Sequence, residues 1–333
     1  GWHPGFEGDG MVYAVDFSPE IDPSPETDPS PKMDAFSTGE EEDDDGSSSS
    51  LKKSRVVTYR NRYVRTNSWH DELAEGRRLF APLMNAGGAS FLPHAVQNLF
   101  RGGYFLKDSA NTALASFAGR LLALQDTMPP WELDGATLET KGACDFDGKL
   151  PFYVPFTAHP KTAPGTGELV FFGVNPVYPP HVSVGSVRPD GEMGEIKSLW
   201  HNALQGATFV HDFCVTTRHV VLFEGSMNIR PLRMAALRHP LAYDETQKAR
   251  FGVLRRRANG TIPGVEVDED VVWCECESHE MVYHFVNAWE DEGSGEIVVT
   301  GVREDGFFHG ALRARGTREW IADALSAGER TPR

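Results

Sequence analysis

The sequence predicts an all-β fold, either a propeller or a sandwich. Short segments that alternate apolar and polar residues, or that are rich in β-branched and aromatic residues, recur along most of the chain. Turn signals such as PGTGE, PDGE and EGSGE separate these segments. Only two stretches show the pattern of a helix. Many short strands at even spacing are typical of propellers and sandwiches, and no repeat of fixed period decides between them.

The first two predicted strands flank a segment of unusual composition. They are GMVYAVDF at 10–17 and RVVTYRNRYVRT at 55–66, and together they predict a hairpin. Between Ser18 and Ser50 there are 11 acidic residues and one basic residue, so this stretch carries −10 of the net charge of −16. It cannot bury enough apolar surface to offset its ordering entropy. We therefore expect residues 18–54 to be an acidic disordered insertion in the hairpin loop; recruitment of a basic partner is the alternative.

Two helices and a series of strands are predicted after the hairpin. The helices cover 68–84, with Ser68 as the N-cap, and 90–101. The further strands are LPFYVPFTAH, GELVFFGVN, HVSVGSVRP, ATFVHDFCVTT, RHVVLFEG, DVVWCECES, MVYHFVNAW and GEIVVTGVRE.

Composition excludes several classes of protein. No apolar run is long enough to cross a bilayer, so we predict no transmembrane segment. The acidic balance argues against nucleic acid, and the basic run at 250–257 is expected to be a strand end with its polar turn. Four cysteines do not form a disulfide framework, which favours a reducing compartment such as a plastid or the cytoplasm. Cys274 and Cys276 are expected to be buried thiols on one face of a strand.

Three histidines lie at strand ends or within strands, beside distinctive words. They are His159 in PFTAHPK, His211 in FVHDFCVTT and His284 in HFVNAWE, and they are separated by 52 and 73 residues. Local metal motifs place their ligands a few residues apart, so these three cannot form a site locally. A spacing of one to two propeller blades would place each on the innermost strand of a different blade, where the strands converge on the axis. The alternative is three unrelated, hydrogen-bonded core histidines.

Nine sequence words follow one another in a fixed order: GDGMVYAV, RNRYVRT, NTALASFAGRLLALQD, PPWELDGATLET, CDFDGKL, FTAHPK, GTGEL, HDFCVT and HFVNAWE. In this order they resemble the carotenoid cleavage oxygenase family, which includes lignostilbene dioxygenases and retinal-pigment isomerohydrolases. The resemblance covers about 5–325, apart from the insertion. It implies a seven-bladed β-propeller with a helical cap, with residues 1–333 forming one partial domain that is incomplete at both ends. It also implies Fe²⁺ held on the axis by four histidines, and cleavage of a conjugated C=C bond with dioxygen into two carbonyl products.

The resemblance assigns roles to four residues of this chain. His159, His211 and His284 stand at the first three iron-ligand positions. Asp126, in LLALQD, stands where the family has a glutamate that contacts a ligand histidine. Because aspartate is one methylene shorter, we expect a water between Asp126 and the histidine. The alternative is an exposed aspartate that opens the turn before Pro129.

A fourth ligand histidine is expected in a Gly-Phe-His-Gly word far beyond the third. His309, in DGFFHGAL, follows His284 by only 25 residues and is not expected to serve. The fourth metal ligand is therefore predicted to be absent from this chain. The chain starts at Gly1 and not at Met, so either a leader was removed or the start is missing.

Two classes of function follow. The first is a non-haem iron dioxygenase that takes a hydrophobic polyene, a carotenoid or apocarotenoid, together with dioxygen, and makes a peripheral membrane contact for substrate uptake. Isomerisation or lignostilbene-type cleavage of a stilbene-like substrate on the same iron is a variant of it. The second is a catalytically inactive propeller fragment, because an open ring without a fourth ligand predicts poor solubility, weak iron retention and no cleavage.

Overall fold

The computed structural model describes residues 8–18, 56–80, 88–102, 106–126, 128–175, 180–199, 208–230, 232–233, 241–244, 246–257, 271–277 and 281–304. These residues form two helices and 18 strands, numbered in chain order. The helices are α1 (Asn67–Glu75) and α2 (Gly88–Gly102). The strands are β1 (Met11–Ser18), β2 (Val56–Tyr63), β3 (Ala113–Phe117), β4 (Arg120–Leu124), β5 (Trp131–Leu133), β6 (Thr140–Ala143), β7 (Lys161–Thr162), β8 (Leu169–Val174), β9 (Val182–Val187), β10 (Met193–Leu199), β11 (Cys214–Val215), β12 (His219–Glu224), β13 (Met227–Ile229), β14 (Leu241–Tyr243), β15 (Arg250–Arg255), β16 (Val271–Glu275), β17 (Met281–Glu290) and β18 (Ile297–Glu304).

Three four-stranded antiparallel sheets form the body of the fold. Their strand orders are β3-β4-β5-β6, β10-β9-β8-β7 and β11-β12-β15-β16; below they are the first, second and third sheets. The pairs β1–β2, β13–β14 and β17–β18 form two-stranded sheets. A four-stranded antiparallel sheet is the unit of a propeller blade. The all-β prediction is confirmed. No sheet closes into a ring among the residues that the structure describes, so seven blades and a helical cap stay predictions.

Apolar side chains join neighbouring sheets. Leu122, Phe156, Phe171 and Val187 belong to one cluster, which links the first sheet to the second. Another cluster joins the second sheet to the third through Phe172, Val184, Phe213, Leu222 and Leu254. Every residue of β8 is buried because both faces of this strand are covered, which explains its continuous apolar run LVFFGV.

A close backbone approach brings the second sheet against the segment that leads to His159. A Cβ atom at Gly173 would lie 2.0 Å from the carbonyl oxygen of Pro155. Only glycine lets β8 pass the 155–158 segment at this distance.

The hairpin predicted at the start of the chain is present. β1 and β2 pair in register from Met11 opposite Tyr63 to Ser18 opposite Val56. The acidic segment itself lies outside the described residues, and its disorder stays a prediction.

The first helix is shorter than predicted and begins with a different cap. The Thr66 hydroxyl, and not Ser68, accepts the Trp69 backbone N–H at 3.2 Å. The Ser68 hydroxyl is buried and instead accepts the Asp108 N–H. The helix ends at Gly76, which has a φ of 63°, a left-handed conformation that glycine adopts at little cost. The sequence pattern predicted too long a helix because an apolar run follows α1. The second helix is confirmed.

The cysteines differ in part from expectation. All four are free, but Cys274 is exposed and Cys276 is partly exposed. The expectation of two buried thiols is therefore wrong: Cys274 shares its strand face with the exposed Val272, while the opposite face carries the buried Val271.

The basic run at 250–257 does begin as a strand, β15. No helix among the described residues is long and apolar enough to span a membrane.

Candidate metal centre

The three histidines lie on the first strands of three different sheets, or just before them. His159 precedes β7, His211 precedes β11, and His284 lies within β17. β11 lies beside both β7 and β17, so the three histidine-bearing segments are neighbours. The architecture therefore brings together residues that are far apart in sequence.

The three imidazoles converge on one point. One ring nitrogen from each of His159, His211 and His284 lies within 4.8 Å of the others. The Nε2 atoms of His159 and His211 are 3.0 Å apart. Metal–imidazole bonds are about 2.1 Å long, so two such ligands at a right angle would have nitrogens about 3.0 Å apart. The three residues fit a divalent transition metal, for which imidazole is a suitable ligand.

The local environment favours neutral imidazoles. Burial, together with the neighbouring His211, lowers the pKa of His159. The same two causes, in the same order, lower the pKa of His284. Because only the neutral ring offers a lone pair, these shifts favour the metal-binding form over the imidazolium.

An aromatic side chain covers His211. The ring of Tyr283 stacks on the imidazole with centroids 3.9 Å apart and an interplanar angle of 26°. Phe209 lies parallel to the same imidazole at 6.2 Å. These contacts restrict the rotation of a ring that is itself buried.

Asp126 contacts His211 directly. One carboxylate oxygen lies 2.7 Å from Nδ1 of His211, although away from the direction of a linear hydrogen bond. The other oxygen accepts the Ala158 N–H at 2.9 Å. The expectation of an intervening water is wrong, because the Ala158 hydrogen bond holds the shorter side chain against the ring. The alternative of a turn-opening aspartate without a histidine contact is excluded as well.

Three further side chains at the centre were not identified from the sequence. Asp212 lies 3.9 Å from Nδ1 of His284, Lys161 forms an ion pair with Asp212 at 2.8 Å, and Tyr283 stacks on His211. Each lies within two residues of one of the three histidines, and this proximity was the available signal. His309 lies outside the described residues.

Comparison with known proteins shows the family. The family model described as RPE65, retinal pigment epithelial membrane protein, matches residues 1–325. This chain belongs to the RPE65/carotenoid oxygenase family. The resemblance carried by the nine sequence words is thereby confirmed.

The relatives of this family member include both carotenoid- and stilbene-cleaving enzymes. The chain is 32% identical to carotenoid 9,10(9',10')-cleavage dioxygenase 1 of Arabidopsis thaliana, over 75% of this chain and 46% of the relative. It is 34% identical to resveratrol cleavage oxygenase 1 of Aspergillus fumigatus, over 76% of this chain and 46% of the relative. The chain thus spans about half the length of the curated relatives that it matches.

Solved structures agree with this membership. The lignostilbene dioxygenase of Pseudomonas brassicacearum is similar with a TM-score of 0.57 and 27% identity, over 74% of this chain and 47% of that chain. A Synechocystis ACO variant, T136A, has the same TM-score at 22% identity, which shows likeness of fold alone.

Proposed function

We propose that this chain carries the metal-binding part of a non-haem iron dioxygenase that cleaves a conjugated C=C bond of a carotenoid or apocarotenoid into two carbonyl products. The observation that carries the proposal is the convergence of three imidazole nitrogens within 4.8 Å, from three sheets, in a member of this family. Relatives named as carotenoid cleavage dioxygenases support the reaction type.

Each residue of the centre has a chemical task in this proposal. His159, His211 and His284 would hold Fe²⁺, and a bound ferrous ion supplies the one-electron chemistry that dioxygen requires. The lowered pKa values of His159 and His284 favour neutral rings. Asp126, close to Nδ1 of His211, favours a proton on that nitrogen and leaves Nε2 directed at the other histidines.

Stilbene-type cleavage is a second candidate for the same site. It is supported by the similarity to resveratrol cleavage oxygenase 1 and to the lignostilbene dioxygenase. Isomerisation on the same iron is the remaining variant, since the family model is named for RPE65. Stilbene-type cleavage and isomerisation both keep the three histidines as iron ligands. They differ from each other in the substrate and in whether dioxygen is required.

Metal binding is the first test. If the centre is that of the dioxygenase, we expect the chain, reconstituted with Fe²⁺ without air and desalted, to retain about one iron per chain; the inactive fragment predicts weak retention. His159→Ala, His211→Ala and His284→Ala should each lower iron content sharply, because each removes a ligand. His70→Ala, on the exposed surface of α1, is the matched control and should retain wild-type iron. Unchanged iron in all three variants would exclude the proposed centre.

Cleavage is tested separately on the iron-loaded chain. Apocarotenoids and hydroxylated stilbenes are supplied with and without dioxygen, and aldehyde products are quantified by chromatography. Products that require iron, dioxygen and His284 support the dioxygenase. A polyene isomerised without dioxygen supports the isomerase. Absence of product under every condition supports the catalytically inactive fragment.

A further inference from the structure

One buried carboxylate is bonded to all three histidine-bearing segments. Asp212 directly follows His211, and its side chain is 2% exposed. We propose that Asp212 is a positioning residue that sets the spacing of the three histidines and thereby the affinity for metal. This inference rests on the proposed metal centre.

The contacts of Asp212 reach both distant segments. Its Oδ1 accepts the Lys161 ammonium at 2.8 Å, and Lys161 lies two residues after His159. Its Oδ2 accepts the backbone N–H of Phe285 at 2.9 Å, and Phe285 directly follows His284. Oδ1 also accepts the N–H of Phe213, which fixes the rotamer of the carboxylate against its own backbone. A shift of either distant segment would therefore stretch a charge-assisted hydrogen bond.

The bond to Phe285 acts where regular sheet pairing is interrupted. The register between β17 and β18 shifts between Val282 and His284, and again between Phe285 and Asn287. Bulges of this kind re-aim side chains and weaken the ladder locally. Pairing with β18 is thus irregular on both sides of His284, and Asp212 adds a restraint from the segment that precedes β11.

Asp212 differs from Asp126 in what it connects. Asp126 links the segments of His159 and His211 through Ala158 and the His211 ring. Asp212 alone among the described carboxylates also reaches the segment of His284 through a backbone hydrogen bond. An asparagine at this position could accept a hydrogen bond from only one of Lys161 and Phe285, because its NH₂ group would face the other donor.

The test measures Co²⁺ affinity, by visible absorption and chelator competition, together with the thermal unfolding of the metal-free protein. Asp212→Asn should lower Co²⁺ affinity about 10–100-fold and change the ligand-field absorption, although no histidine is removed. Asp212→Glu keeps the charge and both acceptor oxygens but adds a methylene, and should lower affinity less. Glu290→Gln is the control: it removes a mostly buried carboxylate at the far end of β17 and should lower stability without changing affinity or absorption.

The outcomes separate the two proposals. Absence of Co²⁺ binding by the wild-type chain overturns the metal centre itself. Wild-type binding, with Asp212→Asn within about threefold and spectrally identical, overturns the role of Asp212 and leaves the centre intact. Should Asp212→Asn not fold, wild-type affinity and absorption of Asp212→Glu overturn the positioning role in its place.

Discussion

At the scale of single residues, burial shifts the pKa values of several ionisable groups toward their neutral forms. His159 and His284 have lowered pKa values because burial disfavours the imidazolium, and this suits a ligand. The same cause acts on an acid far from the centre in sequence. Burial raises the pKa of Asp108 to about 6, against hydrogen bonds from the Trp131 indole N–H, at 3.0 and 3.1 Å, that lower it.

We predict that Asp108→Asn stabilises the protein at pH 7. The folded-state pKa lies above the unfolded value, so the wild type is penalised when Asp108 is ionised and gains stability as the pH falls through about 6 toward 3.8. Asparagine removes the charge and still offers an acceptor to Trp131. We expect a gain of roughly 1–2 kcal/mol at pH 7 that vanishes near pH 4, measured by urea unfolding across pH. A loss at pH 7 would show that the ionised form is needed, for example by Lys107.

At the scale of elements, β17 carries His284 in its middle and is held in place at its end. Its last residue, Glu290, joins it to the turn between β11 and β12. The Glu290 carboxylate accepts the Arg218 N–H at 2.8 Å and lies 3.0 Å from Nδ1 of His219. It also accepts the Thr216 hydroxyl and the Arg218 guanidinium. Burial raises the pKa of Glu290, but these hydrogen bonds outweigh burial and lower it to about 2.

The depressed pKa of Glu290 gives a pH-dependent stability. A carboxylate with a lowered folded-state pKa contributes stability above its unfolded value, near 4.5, and loses it as the pH falls toward about 2. We expect Glu290→Gln to destabilise the protein at pH 7 by roughly 1–2 kcal/mol, after allowance for solvent screening, and to match the wild type near pH 2. Urea unfolding from pH 7 to pH 2 measures both. A constant difference between the two proteins over this range would contradict the assignment.

The pairing of β1 with β2 predicts that the protein tolerates deletion of the acidic insertion. Because Ser18 and Val56 are opposite each other, the hairpin can be closed by a short turn. Deletion of 19–50 should therefore preserve stability and iron content. Because a shorter loop costs less entropy to close, we expect the free energy of unfolding to rise by up to about 2 kcal/mol. Thermal unfolding and metal analysis test this. A loss of more than about 2 kcal/mol would show that the segment packs on the fold.

At the scale of the whole molecule, polar contacts as well as apolar clusters join the sheets. The Arg256 guanidinium, fully buried after β15, donates to the carbonyls of Thr216 and Thr217 at 2.9 and 3.1 Å. It also donates to Thr166 at 2.7 Å and to the Glu168 carboxylate at 3.1 Å, both beside the second sheet. One side chain thus links the second and third sheets, whose first strands follow His159 and His211.

We predict that Arg256→Met destabilises the fold by about 3–5 kcal/mol, because it leaves the Glu168 carboxylate buried without its cation. The control is Arg257→Met, which removes a half-exposed guanidinium 4.0 Å from Glu195 and should change stability by less than about 0.5 kcal/mol. The double variant Arg256→Met/Glu168→Gln should recover part of the loss. Equal effects of the two single variants on urea unfolding would contradict this role.

The sequence by itself determined the features that depend on local pattern. Alternation and turn signals predicted the all-β class and the β1–β2 hairpin, and the run GELVFFGVN predicted the strand that is β8. The words around His159, His211 and His284 indicated the family and the histidines together. Local rules erred where hydrogen bonds outside the regular helical pattern decide the path of the chain. The backbone N–H groups of Leu79 and Phe80 bond to Glu72, so the chain leaves the helical path that the apolar run after α1 predicted.

Only the tertiary structure decided which of these residues meet. The histidines are 52 and 73 residues apart, and they converge because the first strands of three sheets pack side by side. No local periodicity encodes that arrangement, since it depends on the faces that the sheets bury against one another. For the same reason Asp212 could not be recognised from HDFCVT alone. Its partners, Lys161 and Phe285, come from other sheets, and a buried carboxylate acquires its role from the donors that the fold places around it.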